Sequence, residues 1–317
     1  MSPLKRSFAV AGIVAAAGIT RVSAPAQAQV AFFDVRQFGM ADLAAPQSVS
    51  DADDFVAKSG GAFEPIRALR PDDAIRRAAR SIGRVDVDAR DENGTEVSWS
   101  CTGTLLPHGY VLTNHHCIPG EGREKPVRAV IWMNYLEQDG RDARRFDLAV
   151  TPIETDEILD FSIVTVRGDA TEFEGVRLSD AAVQPDQSLI VIHHPERRPL
   201  VMTRFRCQAY SEQPDRNTLR HRCDTLPGSS GAMIFARGLR GVALHFAGGM
   251  QTGDDHSFNS STRMTALAGA SATIRAILAS RDAAPAASSV PAAPGEQKQK
   301  TGGREDPTSV ILQEAPR

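Results

Sequence analysis

Three short segments of the chain carry residue types that together perform nucleophilic catalysis. His116 ends one apolar run, Asp160 opens another, and Ser230 follows Gly228 in a glycine-rich segment. A serine hydroxyl is a weak nucleophile, so it needs a nearby base and N–H groups that bind the developing oxyanion. The segments therefore predict a catalytic triad in which Ser230 attacks, His116 transfers the proton and Asp160 orients the imidazole.

The predicted nucleophile lies in a Leu-Pro-Gly-Ser-Ser-Gly segment that ends at Gly231. Gly228 can adopt backbone angles that are closed to other residues, which lets the N–H groups of Gly228 and Ser230 point to one oxyanion. By itself, the segment is more typical of an ordinary Pro-Gly-Ser turn. Its interpretation as an oxyanion hole therefore depends on the histidine and the aspartate.

Two aspartates compete for the third position of the triad. Asp160 precedes the apolar run 161–166, where an unpaired charge would be costly. Asp147 precedes a shorter run that becomes polar at Thr151. We therefore prefer Asp160, whose carboxylate would accept a hydrogen bond from the imidazole Nδ1–H of the base.

Strands, rather than helices, must position these residues. From Ile82 onward, short apolar or alternating runs are separated by turn residues such as Asn93 and Gly94. Many short strands without intervening helices predict an all-β sandwich or barrel rather than a parallel sheet. One helix is predicted over residues 263–280, where apolar residues recur at helical spacing.

Two cysteine pairs lie beside the predicted base and nucleophile. The members of each pair are equally far apart in sequence, and the pairs are Cys101 with Cys117 and Cys207 with Cys223. Four cysteines allow three pairings, and two local disulfides are the simplest. A metal site at His115, His116 and Cys117 is disfavoured because adjacent strand residues point to opposite faces.

Both ends of the chain differ in composition from its middle. Residues 1–28 combine early basic residues, an apolar stretch and a final Ala-Gln-Ala, which predicts a secretory signal peptide cleaved after Ala28. Residues 281–317 are rich in Ala, Pro, Ser and Gly and are predicted to be a disordered tail. Residues 29–80 are interpreted as a leader or pro-segment, and residues 81–280 as the catalytic domain. Export would place the protein in the bacterial periplasm or outside the cell, where the cysteines can oxidise.

The composition argues against several classes of function. The 317 residues include 36 Lys and Arg against 39 Asp and Glu, a formal net charge of −3. A nucleic-acid or anionic-membrane surface needs clustered basic residues and is not expected here. We expect a protein or peptide substrate and no cofactor, because a triad uses only side chains and backbone N–H groups.

Two motifs resemble those of trypsin-like serine peptidases: the Thr-Asn-His-His-Cys segment that ends at Cys117 and the Gly-Ser-Ser-Gly segment that ends at Gly231. The nearest branch is the V8-like glutamyl endopeptidases, and the resemblance covers about residues 82–280. It implies two antiparallel six-stranded β-barrels with the active site between them, followed by a C-terminal helix. Barrel one would span about residues 81–170 and barrel two about residues 175–262.

The same resemblance assigns residues that bind the substrate side chain. Thr225 and His245 match the positions that bind an acidic side chain in the glutamyl branch, and a hydroxyl and an imidazole suit a carboxylate. Asp224 matches the pocket aspartate of trypsin, so a preference for Arg or Lys is the alternative. A buried core histidine is the alternative role for His245. A catalytically inactive binding protein on the same scaffold is the alternative function.

Ser229 departs from the trypsin pattern, because trypsin-type zymogens have an aspartate at this position. Activation through a salt bridge from a new N-terminus to that aspartate is therefore not available. The arginines within residues 76–80 form either a processing site or a solvated basic face. The His-His-Pro segment 193–195 is expected to shape a loop rather than take part in the chemistry.

Overall fold

The computed structural model of the chain describes residues 27–41, 62–120, 122, 124–251 and 254–282. Most of the predicted signal peptide, residues 42–61 of the predicted leader and the predicted tail from residue 283 onward lie outside the described residues. Within the described ranges, no helix has both the length and the apolar composition needed to cross a membrane.

Strands dominate the described ranges, as the alternating and apolar runs predict. The strands are β1 (Gln27–Ala28), β2 (Ala31–Phe33), β3 (Glu64–Pro65), β4 (Ile82–Arg90), β5 (Glu96–Leu106), β6 (Tyr110–Thr113), β7 (Lys125–Met133), β8 (Arg144–Leu148), β9 (Glu154–Asp156), β10 (Phe161–Arg167), β11 (Ile190–His193), β12 (Val201–Thr203), β13 (Thr218–His221), β14 (Met233–Ala236), β15 (Arg240–Gly248) and β16 (Asn259–Arg263). The helices are α1 (Ala74–Ala79), α2 (Met264–Ala270) and α3 (Ala272–Asp282).

Barrel one is a closed antiparallel ring of six strands, in the order β4, β5, β6, β10, β8 and β7. The ring closes because β6 pairs on both sides, with Leu112 opposite Thr104 of β5 and opposite Ile163 of β10. Alternate residues of the strands point inward, and Val85 and Ile131 are among the buried side chains of the interior.

Barrel two consists of six further antiparallel strands, in the order β13, β16, β15, β14, β11 and β12. The segment around Gln208 extends this sheet, since Gln208 pairs with Ser188 and Ala209 pairs with His221. The short strands β1 and β3 add to it by pairing with β15 and β12. The predicted all-β class is confirmed, with one closed six-stranded antiparallel barrel and a second antiparallel sheet in the place of the second barrel.

A shared apolar core joins the two barrels below the cleft. Leu112 and Ile163 of barrel one lie in the same buried cluster as Met233 and Leu244 of barrel two. Burial of one such side chain contributes about 1.5–3 kcal/mol, so the cluster fixes the two cleft walls relative to each other. Helices α2 and α3 cover the cluster with Met264, Leu267, Ile274 and Ile277.

The helix predicted over residues 263–280 is two helices instead of one. Ser271 adopts an extended backbone between α2 and α3. Its Oγ accepts a hydrogen bond from the N–H of Ile274 at 3.0 Å, so the serine caps the second helix. The apolar spacing continues across this break, which is why the pattern indicates a single helix.

Both predicted disulfides are present. Cys101 is bonded to Cys117, and Cys207 is bonded to Cys223. The first bond connects Cys117, which follows β6, to Cys101 on β5 of barrel one. The second connects Cys223, which precedes the serine segment, to Cys207 of barrel two. The four sulfur atoms are therefore not available as thiolate ligands for a metal ion.

Candidate active site

The base of the predicted triad is held on two sides. His116 follows β6 and precedes Cys117, whose disulfide anchors this turn to β5. The Nδ1 atom of His116 lies 2.7 Å from Oδ2 of Asp160, and the backbone N–H of His116 donates to Oδ1 of the same carboxylate at 3.1 Å. A carboxylate only accepts hydrogen bonds, so Nδ1 carries the proton and Nε2 keeps its lone pair for accepting one.

Asp160 is positioned by its backbone as well as by its carboxylate. It immediately precedes β10 and has a φ of +49°, a left-handed conformation that aspartate tolerates better than most residues. Its carbonyl oxygen accepts a hydrogen bond from the Asn114 side chain at 2.7 Å. Asp147, the competing residue, is exposed on β8, so the structure brings Asp160 rather than Asp147 to His116.

The serine segment takes a shape that only glycine allows at two positions. Gly228 and Gly231 have φ values of +97° and +83°, where side chains are rarely accommodated. A Cβ at Gly231 would overlap the carbonyl oxygen of Thr102. Ser230, which lies between them, is completely buried.

Thr102 of β5 connects barrel one to this segment. Its backbone N–H donates to the carbonyl oxygen of Ser230 at 2.7 Å, and its hydroxyl donates to the carbonyl oxygen of Gly228 at 2.9 Å. The hydroxyl also accepts the N–H of His194 at 3.1 Å. Sequence reasoning did not identify Thr102, although its position next to a predicted disulfide cysteine was a usable signal.

Ser229, the residue before the predicted nucleophile, is bound by a histidine. The Ser229 Oγ accepts the N–H of Leu226 at 3.1 Å and lies 2.7 Å from Nδ1 of His193, to which its hydroxyl donates. Burial lowers the pKa of His193 to about 3, so this imidazole is neutral at pH 7. The segment 193–195 was predicted only to shape a loop, whereas His193 contacts the serine segment directly. This chain of hydrogen bonds holds the segment where trypsin-type zymogens use an aspartate.

Residues 27–33 of the chain lie in the cleft between the barrels. Strand β1 pairs with β15, with Gln27 opposite Gly248 and Ala28 opposite Ala247, and β2 pairs with β5 on the other side. Between these strands, the carbonyl oxygen of Gln29 accepts hydrogen bonds from the N–H groups of Gly228 at 2.5 Å and Ser230 at 3.4 Å. The two predicted oxyanion-hole donors therefore converge on one carbonyl oxygen.

Gln29 also determines the contacts of the predicted nucleophile. The Ser230 Oγ accepts the N–H of Gln29 at 2.9 Å. The Nε2 atom of His116 is buried and has no hydrogen-bond partner among the described residues. Ser230 and His116 are therefore not hydrogen-bonded to each other in this state, in which the peptide segment fills the cleft.

Three groups in series point a hydrogen-bond donor at the Gln29 side chain. The N–H of Cys223 donates to Nδ1 of His221 at 3.3 Å, and Nε2 of His221 lies 3.3 Å from Nδ1 of His245. Nε2 of His245 lies 2.9 Å from Oε1 of Gln29. Because His221 receives a proton donor at Nδ1, its own proton is on Nε2, and His245 in turn carries its proton on Nε2.

Burial keeps these two histidines uncharged. It lowers the pKa of His221 to about 3, and it lowers the pKa of His245 well below the ordinary value, with neighbouring His221 adding to the effect. The sequence identified His245 but not His221. His221 lies on β13, separated from β15 by β16, so only the strand order reveals that the two rings meet.

Thr225 and Asp224 are the other two residues that the sequence assigned to substrate binding. The Thr225 Oγ1 accepts a hydrogen bond from the Asn259 side chain at 3.0 Å, which leaves its hydroxyl proton available for donation. Asp224 is half-buried, and this burial raises the pKa of its carboxyl group. Among the described residues, the side chain that hydrogen-bonds the Gln29 carboxamide is His245 rather than Thr225 or Asp224.

Comparison with known families agrees with this architecture. Residues 101–244 match the family model described as "Trypsin-like peptidase domain". This range contains the predicted triad residues His116, Asp160 and Ser230. This segment, less than half of the chain, is thus similar to a trypsin-like peptidase domain.

Similar chains and structures are more distant. An uncharacterized protein, y4fB, of Sinorhizobium fredii is 28% identical over 191 residues, which covers 54% of this chain and 28% of the relative. The chain thus spans about 28% of the length of that curated relative. A variant of the HtrA-type protease AlgW with tripeptide has a TM-score of 0.50 at 13% sequence identity. The match covers 66% of this chain and 64% of the AlgW chain. A Glu endopeptidase in complex with MPD has a TM-score of 0.47 at 15% identity, with coverage of 65% and 92%.

Proposed function

We propose that the protein is a secreted serine endopeptidase of the V8-like type, with Ser230 as nucleophile, His116 as general base and Asp160 as the residue that orients it. One observation carries the proposal: the N–H groups of Gly228 and Ser230 converge on a single peptide carbonyl oxygen, that of Gln29. A peptide carbonyl bound in this way is polarised for attack by the adjacent hydroxyl.

The reaction follows from the hydrogen bonds of the site. Ser230 Oγ attacks the peptide carbonyl while Nε2 of His116 takes its proton, and Asp160 stabilises the resulting imidazolium. His116 then gives the proton to the leaving amine, and water hydrolyses the acyl-enzyme by the same route. Loss of one oxyanion-hole donor reduces kcat by about 10²–10³-fold in comparable sites.

The pocket supports a preference for a side chain that ends in oxygen acceptors, with Glu as the proposed residue before the scissile bond. His245 offers an N–H that is fixed by His221, and Thr225 offers a hydroxyl proton. A trypsin-like preference for Arg or Lys would depend on Asp224, whose burial raises the pKa of its carboxyl and so disfavours the charged form.

The remaining assignments follow the composition of the chain. Residues 1–28 are proposed to direct export and residues 29–80 to form a leader, followed by the peptidase domain 81–280 and the tail 281–317. Two disulfides are compatible with an extracellular or periplasmic protein.

Peptide hydrolysis tests the proposal. Four peptides that differ only in Glu, Asp, Arg or Phe before the scissile bond are incubated with the protein and with Ser230→Ala as control. We expect the native chain to hydrolyse the Glu peptide fastest and the Ser230→Ala control to hydrolyse none of the four peptides. Faster hydrolysis of the Arg or Phe peptide would contradict the roles of Thr225 and His245, and hydrolysis by the control would contradict the role of Ser230.

A further inference from the structure

In place of the predicted cut after Ala28, we propose that the Gln29–Val30 peptide bond is the first substrate of this enzyme. The segment Gln27–Phe33 then stays attached after export and keeps the cleft closed to other substrates until Ser230 cleaves that bond in the same molecule. The inference rests on the proposed peptidase function. It adds to that function a defined cleavage site, a mature N-terminus at Val30 and an inactive state of the enzyme before the cut.

The segment binds on the N-terminal side of this bond as an added strand. Gln27 and Ala28 pair antiparallel with Gly248 and Ala247 of β15. Main-chain pairing of this kind is how a sheet edge holds an extended peptide. The chain therefore enters the cleft in the extended conformation that a peptidase requires of its substrate.

Gln29 itself makes the contacts of a reacting residue. Its carbonyl oxygen lies between the N–H groups of Gly228 and Ser230, and its side-chain oxygen lies 2.9 Å from Nε2 of His245. A Cβ at position 248 would overlap the Gln29 side chain, so Gly248 leaves the room through which this side chain enters the pocket. Gln29 thus contacts both the two oxyanion-hole donors and His245.

The C-terminal side of the bond is clamped by arginines. Strand β2 pairs with β5, and the Arg197 guanidinium lies 3.7 Å from the centre of the Phe33 ring. Arg128 stacks on Phe38 at 4.2 Å, and the buried Arg84 donates to the carbonyl oxygen of Met40 at 2.5 Å. Charge-assisted and cation–π contacts of this kind hold the chain well beyond the bond that is to be cut.

The cleavage balances without any reactant other than water. Ser230 Oγ forms an ester with the Gln29 carbonyl carbon, the Gln29–Val30 C–N bond breaks, and the Val30 amine receives through His116 the proton that Ser230 loses. Water then hydrolyses the ester and leaves a carboxylate at Gln29. The piece that ends at Gln29 is held by two residue pairs of β1, whereas the piece that starts at Val30 keeps the arginine contacts. The N-terminal piece therefore dissociates and opens the pocket.

Mass spectrometry of the full chain tests this inference. The 317-residue chain is refolded with its disulfides oxidised and without any signal peptidase. We expect the native chain to acquire an N-terminus at Val30 and Ser230→Ala to keep residues 1–29. Circular dichroism and disulfide mapping verify that Ser230→Ala is folded. The rate of cleavage should not change over a 100-fold dilution of the chain, because the substrate is intramolecular.

Variants of the segment make the test specific. Gln29→Ala loses the contact with His245 and should slow self-cleavage at least about tenfold, whereas Gln29→Glu should cleave at least as fast as the native chain. Gln184→Ala, an exposed glutamine on barrel two, is the matched control and should have no effect. Val30→Pro should block cleavage and leave a chain that reacts slowly with a fluorophosphonate.

The outcomes separate this inference from the proposed function. If the native chain hydrolyses a Glu peptide while its Gln29–Val30 bond stays intact, the self-cleavage proposal is wrong and the peptidase function stands. A cleavage rate that rises in proportion to chain concentration overturns the intramolecular step. If a chain cut after Gln29 by an added protease neither hydrolyses the peptides nor reacts with the fluorophosphonate, the peptidase function itself fails.

Discussion

The histidine of barrel one and the histidines of barrel two have different partners. His116 is hydrogen-bonded to the carboxylate of Asp160 through both its ring and its backbone. Among the described residues, His193, His221 and His245 have no carboxylate partner and instead meet hydroxyl groups, a backbone N–H, the Gln29 side-chain amide or one another.

This difference shows how one residue type takes two roles. A carboxylate beside an imidazole stabilises the protonated ring, which a base must become during the reaction. Burial without a carboxylate disfavours the charged ring and leaves a neutral N–H donor of fixed orientation. Barrel one thus gives the proposed base a carboxylate partner, and barrel two supplies histidines that stay neutral and contact the serine segment and the Gln29 side chain.

Removal of the base should have the largest effect. His116→Ala leaves Ser230 without a proton acceptor, and kcat should fall by about 10⁶-fold. The neighbouring His115, whose ring meets Thr155 at 2.9 Å, provides the control. His115→Ala should retain the native kcat in the same peptide assay, and equal losses in the two variants would contradict the division of roles.

Exchange of the carboxylate tests the partner that distinguishes the two barrels. Asp160→Asn can donate to Nδ1 and so moves the imidazole proton to Nε2, and kcat should fall by about 10⁴-fold. Asp147→Asn, on the exposed face of β8, should have no effect. A large loss in Asp147→Asn with none in Asp160→Asn would reverse the assignment.

Acid should destabilise barrel two through its neutral histidines. Burial holds the pKa of both His193 and His221 at about 3 in the folded protein, against an ordinary value of 6.5. Between these pH values the unfolded chain binds protons that the folded chain does not, so the stability present above pH 6.5 is lost as the pH falls toward 3. Each ring should contribute about 1.4 kcal/mol per pH unit.

Urea unfolding at pH 7 and pH 5 measures this loss, which should be about 2 kcal/mol for each ring. His193→Gln and His221→Gln are the matched variants. Each should reduce the change in the free energy of unfolding between pH 7 and pH 5 by about 2 kcal/mol, the contribution of the ring that it removes. An unchanged pH dependence in both variants would show that other groups are responsible.

Loss of the pocket donor should alter selectivity without altering the base. His245→Ala removes one hydrogen bond to the charged side chain, worth about 1.5–3 kcal/mol, so kcat/KM for the Glu peptide should fall about 10–150-fold. The Phe peptide should be hydrolysed at an unchanged rate. Equal losses for both peptides would indicate a structural rather than a selective role.

The contact between the barrels should have the smallest effect. Thr102→Val leaves the carbonyl of Gly228 and the N–H of His194 without their partner, which should lower the free energy of unfolding by about 1–3 kcal/mol. Thr104→Val is the control, because the hydroxyl of Thr104 is buried without a partner in the described part of the chain. It should be neutral or stabilising, and a loss equal to that of Thr102→Val would contradict the account.

The parts of the fold that the sequence predicted depend on local patterns. Alternating runs predicted the strands, and the equal spacing of the cysteines predicted Cys101–Cys117 and Cys207–Cys223. The break between α2 and α3 was also visible, since Ser271 precedes Ala272 as a helix cap would. Apolar periodicity outweighed this signal because it continues across the cap.

The parts that were missed depend on pairings between distant segments. His221 meets His245 because β16 pairs with both β13 and β15, a register that no local pattern encodes. Gln29 reaches Ser230 across about two hundred positions through main-chain pairing, which has little sequence signature. For the candidate site, the sequence thus indicated the triad residues and His245, but it did not indicate the uncharged residues that contact them, such as His221 and Thr102.

Identification of the residue that a fluorophosphonate modifies tests the central assignment most directly. The chain with its N-terminus at Val30 is labelled, digested and mapped by mass spectrometry, with His116→Ala as the comparison. We expect one adduct, on Ser230, formed rapidly in the native chain and far more slowly without His116. An adduct on another serine, or equal labelling of Ser230 in both proteins, would contradict it.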